Sequence, residues 1–192
     1  FNEFDPAYRS DREDFQILMW PLFYTSFVVE DFLDDHAYYG ATTVLISSAS
    51  SKTAIGAAFI AKRRGTCRVI GLTSSANAEF TRGLGCYDEV YLYEDIESLD
   101  IVPTAFVDVA GNRDVVRRVH HHFGNDLTYS MVVGDTHWDA EATLEIPNVG
   151  PRPEFLFAPV QMAKRTKDWG REGLEERVVA EWSAFGDFCE GW

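Results

Sequence analysis

Apolar and β-branched residues arrive in short unbroken runs along this chain, and helical patterns separate the runs. "ATTVLISS" (41–48), "CRVIGLT" (67–73), "EVYLY" (89–93), "TAFVDVAG" (104–111) and "LTYSMVVG" (127–134) each read as a strand covered on both faces. Helices are predicted between them. "SKTAIGAAFIAKRRG" (51–65) is closed by Gly65, "SANAEFTRGLG" (75–85) is a short helix with a glycine stop, and "NRDVVRRVHHHFG" (112–124) is a third. Strand and helix alternate with short links, which predicts an α/β fold: a doubly wound parallel sheet with helices on both faces.

The flanks fit the same plan. Residues 11–36 read as a helix pair or one kinked helix, with Asp11 as its cap and Pro21 inside. From residue 135 to 153 the pattern fades and a loop is expected. "EFLFAP" (154–159) is a candidate sixth strand, and "QMAKRTKDWG" and "LEERVVAEWSAFGDF" are two C-terminal helices, the second with apolar positions at helical spacing. No repeat or long linker breaks the chain, so residues 1–192 are expected to form one domain: leading helices (11–36), core βα units (41–135), and a last strand with helices (154–192).

Composition narrows the partners. A 192-residue chain with 46% hydrophobic residues can bury a real core. Lys and Arg number 17 against 31 Asp and Glu, a formal charge of −14, which disfavours nucleic acid and anionic membranes and leaves a small molecule as the expected partner. Cys67, Cys86 and Cys189 form no metal or redox spacing and are expected to be reduced thiols in a cytoplasmic protein. The apolar run 17–29 is too short for a membrane span and holds Pro21. Without a basic flank it is not a signal peptide either. The chain opens on Phe1 rather than a methionine, so it is expected to be part of something longer.

The chemistry concentrates at strand ends. Residues 47–53, 73–76 and 110–112 are small and polar, and in an open parallel sheet ligands sit beyond the carboxyl ends of the strands. The turn in "VLISSASSKTAIGAAF" (44–59) leads into a helix, whose N-terminus offers N–H groups and a positive dipole end. Three readings of this turn compete. A P-loop would use Lys52 and Thr53, but its two glycine positions hold Ile46 and Ser51. A dinucleotide turn lacks its literal G-x-G-x-x-G. A plain serine-rich turn would merely cap the helix.

The segment order resembles the nucleotide-binding domain of the medium-chain dehydrogenase/reductase superfamily, in its quinone-oxidoreductase-like branch. The family's "VLVHGAAGGVGSAAIQLAKALG" is similar, without a gap, to residues 44–65 here. "RVIGLTSS", "LGCYDEV", "FVDVAGN" and "LTYSMVVG" follow in the family's order, and "PLFYTSF" looks like its upstream helix. A narrower likeness, in "WPLF.TSF", "SSASSKTA.G", "GLTS", "LGCYD" and "THW", is to a domain-of-unknown-function family within that superfamily.

The resemblance implies a Rossmann-like domain that binds NADP(H) rather than NAD(H), since the second strand end carries Thr73, Ser74 and Ser75 and no acid before Glu79. It implies cofactor contacts from Ser48, Ser50, Ser51, Lys52, Thr53, Thr73, Ser74, Ser75, Ala110, Gly111 and Gly134. It implies no metal, and it places Tyr24, Thr25 and His137 as candidates near the reacting end. The family's loop glycines fall on Ser48, Ser51, Lys52 and Ala54, so hydroxyls and one ammonium would stand in for bare backbone.

The family's GroES-like catalytic domain has no counterpart in this chain. The expected activity is therefore that of the cofactor-binding domain of a zinc-independent oxidoreductase, quinone- or enoyl-reductase-like, possible as a homodimer. The alternative is a catalytically silent nucleotide-binding or interaction domain, and a remote third reading is an NTPase using Lys52-Thr53. Two side expectations complete the picture. His120, His121 and His122 read as a solvated helix end, because successive helical positions cannot converge on one ion. Lys164 and Arg165 would reach the cofactor only if their helix folded back over the sheet.

Overall fold

The computed structural model describes residues 7–134 and 148–191. Its elements in chain order are α1 (Glu13–Asp35), β1 (Thr43–Ile46), α2 (Lys52–Arg64), β2 (Arg68–Thr73), α3 (Ala78–Gly83), β3 (Glu89–Leu92), β4 (Thr104–Asp108), α4 (Arg113–Phe123), β5 (Leu127–Val132), β6 (Glu154–Phe155) and α5 (Ala158–Cys189). The strands form one parallel sheet in the order β3-β2-β1-β4-β5-β6. This is the Rossmann-like doubly wound sheet that the alternation of patterns predicts.

Each face of the sheet has its own core, because a strand pointing alternate residues to opposite faces must bury both. Val44 and Ile46 of β1 face α1, α2 and α5, where Phe23, Trp182 and Phe185 meet. The Phe23 ring lies 4.9 Å from Phe185 and 5.2 Å from Trp182. Leu45 faces the other way, into a cluster with Ile70, Leu72 and Phe106 closed by Val115, Val119 and Phe123 of α4.

The helices begin and end for local reasons, with one departure from expectation. Ser51 caps α2 by accepting the Ala54 N–H at 3.3 Å, and Gly65 closes it at φ 68°. α1 is a single helix that continues through Pro21 rather than a pair, since its whole length packs on α2 and α5. Asp11 does not cap it. That carboxylate is engaged by Arg9, with Nε and Nη2 at 3.2 and 2.9 Å. α1 and α2 approach closely at Gly56, where a Cβ would lie 2.5 Å from Ser26 Oγ. α5 is two helical stretches, broken at Gly170 (φ 73°, ψ 166°), as the sequence predicts.

The carboxyl end of α1 is held by two buried ionic groups. Arg64 grips Glu30 with Nε and Nη2 at 2.7 Å each, and Tyr38 donates to the same carboxylate. Burial pushes the Glu30 carboxyl upward, opposed by Arg64. This group secures a left-handed turn at Ala37, Tyr38 and Tyr39 (φ 49°, 50° and 53°), which costs on the order of 1–2 kcal/mol per non-glycine residue. Arg165 pairs with Asp31 at 2.8 Å and with Asp35 at 3.0 Å, so the first stretch of α5 is fixed to the same end.

The histidine run at 120–122 is not a solvated end. His120 is fully buried; its Nδ1 is 3.0 Å from the Val149 carbonyl and its Nε2 is 2.9 Å from Ser130 Oγ. A carbonyl only accepts, so Nδ1 carries the proton and Nε2 accepts from Ser130. His122 reaches the Leu99 carbonyl at 2.8 Å, and His121 alone of the three is exposed. The cause is the pitch of α4: the stripe that buries Val119 and Phe123 takes His120 with it. Among the described residues no helix is long and apolar enough to cross a membrane. Among the same residues, no group of three His, Cys, Asp or Glu is placed to hold a metal ion.

Two outcomes follow. Gly56→Ala forces α1 and α2 apart and should lower unfolding stability by about 1–3 kcal/mol in urea titration. Burial holds the His120 pKa below its usual 6.5. The unfolded chain therefore binds more protons between the two values, and stability present above about pH 6.5 is lost as pH falls through that window. The thermal midpoint should drop from pH 7.5 to about 5.5 more steeply for the parent than for His120→Gln. Equal slopes would show that His120 does not titrate on unfolding.

Candidate functional site

The sheet order puts β1 between β2 and β4, so the crossovers leave β1 in opposite directions and open a crevice at its carboxyl end. The turn after β1 is fastened to both neighbours. The Ser47 N–H donates to the Val107 carbonyl at 2.9 Å, and Ser47 Oγ donates to Asp108 Oδ1 at 2.7 Å while accepting the Val109 N–H at 2.9 Å. On the other side the Ala49 N–H donates to the Leu72 carbonyl at 3.0 Å, and Tyr87 donates to the Ala49 carbonyl at 2.9 Å. Gly71 lies beneath, and a Cβ there would be 2.8 Å from Ala49 Cβ and 3.0 Å from the Tyr87 ring. Only glycine lets the turn sit this low on β2.

Ser48 adopts φ 51°, the left-handed conformation that favours glycine. The resemblance places a family glycine at this position, so the backbone shape survives without the residue. Tyr93, just beyond β3, reaches across the end of β2 and accepts the Ser48 N–H at 3.0 Å, with Ser48 Oγ at 3.4 Å from its hydroxyl. Sequence reasoning missed Tyr93. It read as the last residue of an apolar strand, and no local pattern signals a contact 45 positions away.

The chain then enters α2. The first-turn N–H groups of any helix lack intrahelical partners, so those of Lys52 and Thr53 stand at the crevice with the positive end of the dipole. The Lys52 side chain is exposed, and Thr53 is half-buried. At the end of β2, Thr73 is 1% exposed, Ser74 half-buried and Ser75 exposed. Ala110 and Gly111 (φ 71°) follow β4, and Gly134 follows β5 so closely against the Val109 carbonyl that a Cβ would lie 2.6 Å from it. The predicted residues from the three strand ends thus share one edge of the sheet.

Other candidates lie elsewhere. Tyr24 is on the side of α1 facing α5, its ring 6.2 Å from Trp20, in a groove with Arg171, Leu174 and Val178. Burial pushes its phenol upward. Thr25 donates to the Pro21 carbonyl at 3.1 Å. Neither side chain joins the strand-end residues. His137 lies outside the described residues. α5 does fold back, but along α1, and it delivers Lys164 and Arg165 to Asp31, Asp35 and Asp168 rather than to the crevice. A cleft of about 760 Å3 adjoins the turn and shares Ser50 and Lys52 with it, but its walls are α1, α3 and α5, and none of the β2, β4 or β5 strand-end residues lines it.

This arrangement has the architecture of the nucleotide-binding domain of the medium-chain dehydrogenase/reductase superfamily. Within it, the chain belongs to the family DUF2855, described as a protein of unknown function, whose model matches residues 2–192. Among curated proteins, none matches the chain. Solved structures with this fold include a candidate NADPH:quinone reductase from Mesorhizobium loti, at TM-score 0.63 and 14% identity, with 96% of this chain and 52% of that one covered. The yhdH oxidoreductase from Salmonella enterica in complex with NADP matches at TM-score 0.51 and 16% identity, over 83% of this chain and 51% of that one. An enoyl thioester reductase from Candida tropicalis, in a mutant form, matches at 0.53 and 12%, over 81% and 46%. This chain spans about half the length of each.

The strained turn gives a direct test. Ser48→Gly should raise the thermal midpoint, with a gain of up to about 1 kcal/mol, because the left-handed cost of serine exceeds the extra chain entropy of glycine. Tyr93→Phe should cost about 0.5–1.5 kcal/mol by removing the acceptor of the Ser48 N–H. A Ser48→Gly protein less stable than the parent would contradict this account of the turn.

Proposed function

We propose that this chain is the cofactor-binding half of a zinc-independent reductase of the quinone or enoyl type, and that it holds NADP(H) in preference to NAD(H). The observation that carries this reading is the turn from Ser47 to Ser51. It keeps the left-handed backbone of a dinucleotide loop at Ser48, lies at the switch point of the sheet, and ends in the serine-capped N-terminus of α2. The printed descriptions of the quinone reductase and of the NADP-bound oxidoreductase support the same cofactor.

The residues present fit such a group. The Lys52 and Thr53 N–H groups would hold the pyrophosphate, with the hydroxyls of Ser48, Ser50 and Ser51 and the Lys52 ammonium around it. Ser74 and Ser75 would face the 2′-phosphate, where a carboxylate would repel it. Ala110, Gly111 and Gly134 leave the backbone close enough to pack against the cofactor. When bound, the cofactor supplies the hydride, and the protein's part is to bind, orient and exclude water. A small apolar acceptor and a second domain would complete the enzyme, and a homodimer is compatible with the exposed edge strand β6.

A second reading has its own support. The Ser48 and Ala49 N–H groups already have protein acceptors, Tyr93 and Leu72, which suits a turn that no longer takes a cofactor and a domain that is catalytically silent.

NADPH and NADH titrations, followed by energy transfer from the five tryptophans, distinguish the two. The expected result is saturable NADPH binding, weaker NADH binding, and about tenfold loss of NADPH affinity in Lys52→Ala/Ser51→Ala, in line with one charge-assisted contact. Failure of both nucleotides to bind at concentrations up to about 1 mM would end the reductase reading. Binding without reduction of any quinone or enal would favour the silent domain.

A further inference from the structure

The cleft of about 760 Å3 beside the turn is not explained by the cofactor reading. It lies on the helical side of the sheet and opens to solvent. Its floor is apolar, with Phe15, Met19 and Ile55. Two large apolar side chains from different elements line it in the open: Leu18 of α1 is 59% exposed and Phe80 of α3 is 51% exposed. A single exposed leucine needs no explanation, but a shared apolar cleft edged by polar groups marks an interaction site.

The charge around this cleft is uneven. Asp11 is paired with Arg9, and Glu190 with Arg12 at 2.6 Å. Glu13 and Asp14, exposed in the first turn of α1, form no ion pair among the described residues. Lys52 is the cation on the α2 side. A carboxylate-edged apolar cleft on a protein of charge −14 repels anionic lipid and nucleic acid and attracts a cationic apolar partner.

We propose that this cleft docks an amphipathic helical segment of a partner protein. Leucine-like residues of the segment sit between Leu18 and Phe80, and lysine or arginine on its flank faces Glu13 and Asp14. An open groove between helices suits the helix-in-groove mode, in which apolar anchors at helical spacing supply affinity. Met19 in the floor adds an unbranched side chain that adapts to the anchor. The proposal is independent of whether the strand-end crevice takes a nucleotide.

The test uses two labelled model helices of equal length and leucine pattern, one with lysine and one with glutamate at the polar positions. Fluorescence anisotropy should show saturable binding of the leucine–lysine helix and none of the leucine–glutamate helix. Leu18→Asp/Phe80→Asp should weaken binding at least about tenfold, whereas Phe155→Asp/Phe157→Asp, which places the same charges on the distant exposed edge, should leave it unchanged. Glu13→Lys/Asp14→Lys should reverse the preference between the helices. All four altered side chains of the two key pairs are exposed, and an unchanged circular dichroism melt confirms that each variant folds. Equal weakening by both aspartate pairs would reduce the effect to general charge attraction and overturn the proposal. So would no binding of the lysine helix, or binding indifferent to Leu18 and Phe80.

Discussion

Everything in this molecule depends on β1 being buried on both faces. A central parallel strand has neighbours on either side and helices above and below, so none of its side chains can meet water. That requirement brings α1, α2 and α5 together over one face and α4 over the other, and it sends alternate residues of "TVLI" into two separate cores. It also leaves one place where the central strand can present polar groups: the turn beyond its carboxyl end. The candidate site is the position at which the packing constraint on β1 is released.

The turn illustrates how a backbone shape outlasts the residues that usually supply it. Glycine is kept at Gly71, where the turn must descend onto β2, and at Gly134, where β5 meets the end of β4. At Ser48 the left-handed conformation is held instead by surrounding bonds, from Ser47 to Asp108, from Tyr87 to Ala49 and from Tyr93 to Ser48 itself. Each bond is worth little alone, but together they over-determine a strained conformation. The same logic governs the other left-handed turn, at residues 37–39, where the Glu30–Arg64–Tyr38 group and the stacking of Tyr39 on Tyr129 at 4.0 Å do the holding.

The basic residues show why charge on the surface of an acidic protein is a weak guide to function. Arg64, Arg165 and Arg118 occupy runs that read as loose cationic patches, yet each is committed to a carboxylate, in Glu30, Asp31 and Glu97. Arg165 and Arg177 also flank the Trp169 ring at 4.4 and 4.5 Å, beside the break at Gly170. These arginines build the protein. Lys52, at the mouth of the crevice, is a better candidate for meeting a ligand because it stands exposed where two concave surfaces adjoin.

The residue pattern by itself determined the six strands, the helices between them, their parallel pairing, and the turn at 47–53 as the place for a ligand. Those features follow from local periodicity, from Gly65 and Ser51 at helix ends, and from the restricted ways in which alternating strands and helices can connect. Tertiary structure decided what periodicity cannot encode. It placed Tyr93 on Ser48 from across the sheet and turned Tyr24 toward α5. It also buried His120 against Ser130 and carried Arg165 to the far end of α1. Each of these outcomes depends on which elements become neighbours in space. A side chain's partner is set by the sum of packing across the whole fold, whereas its helix or strand is set largely by the few residues on either side of it.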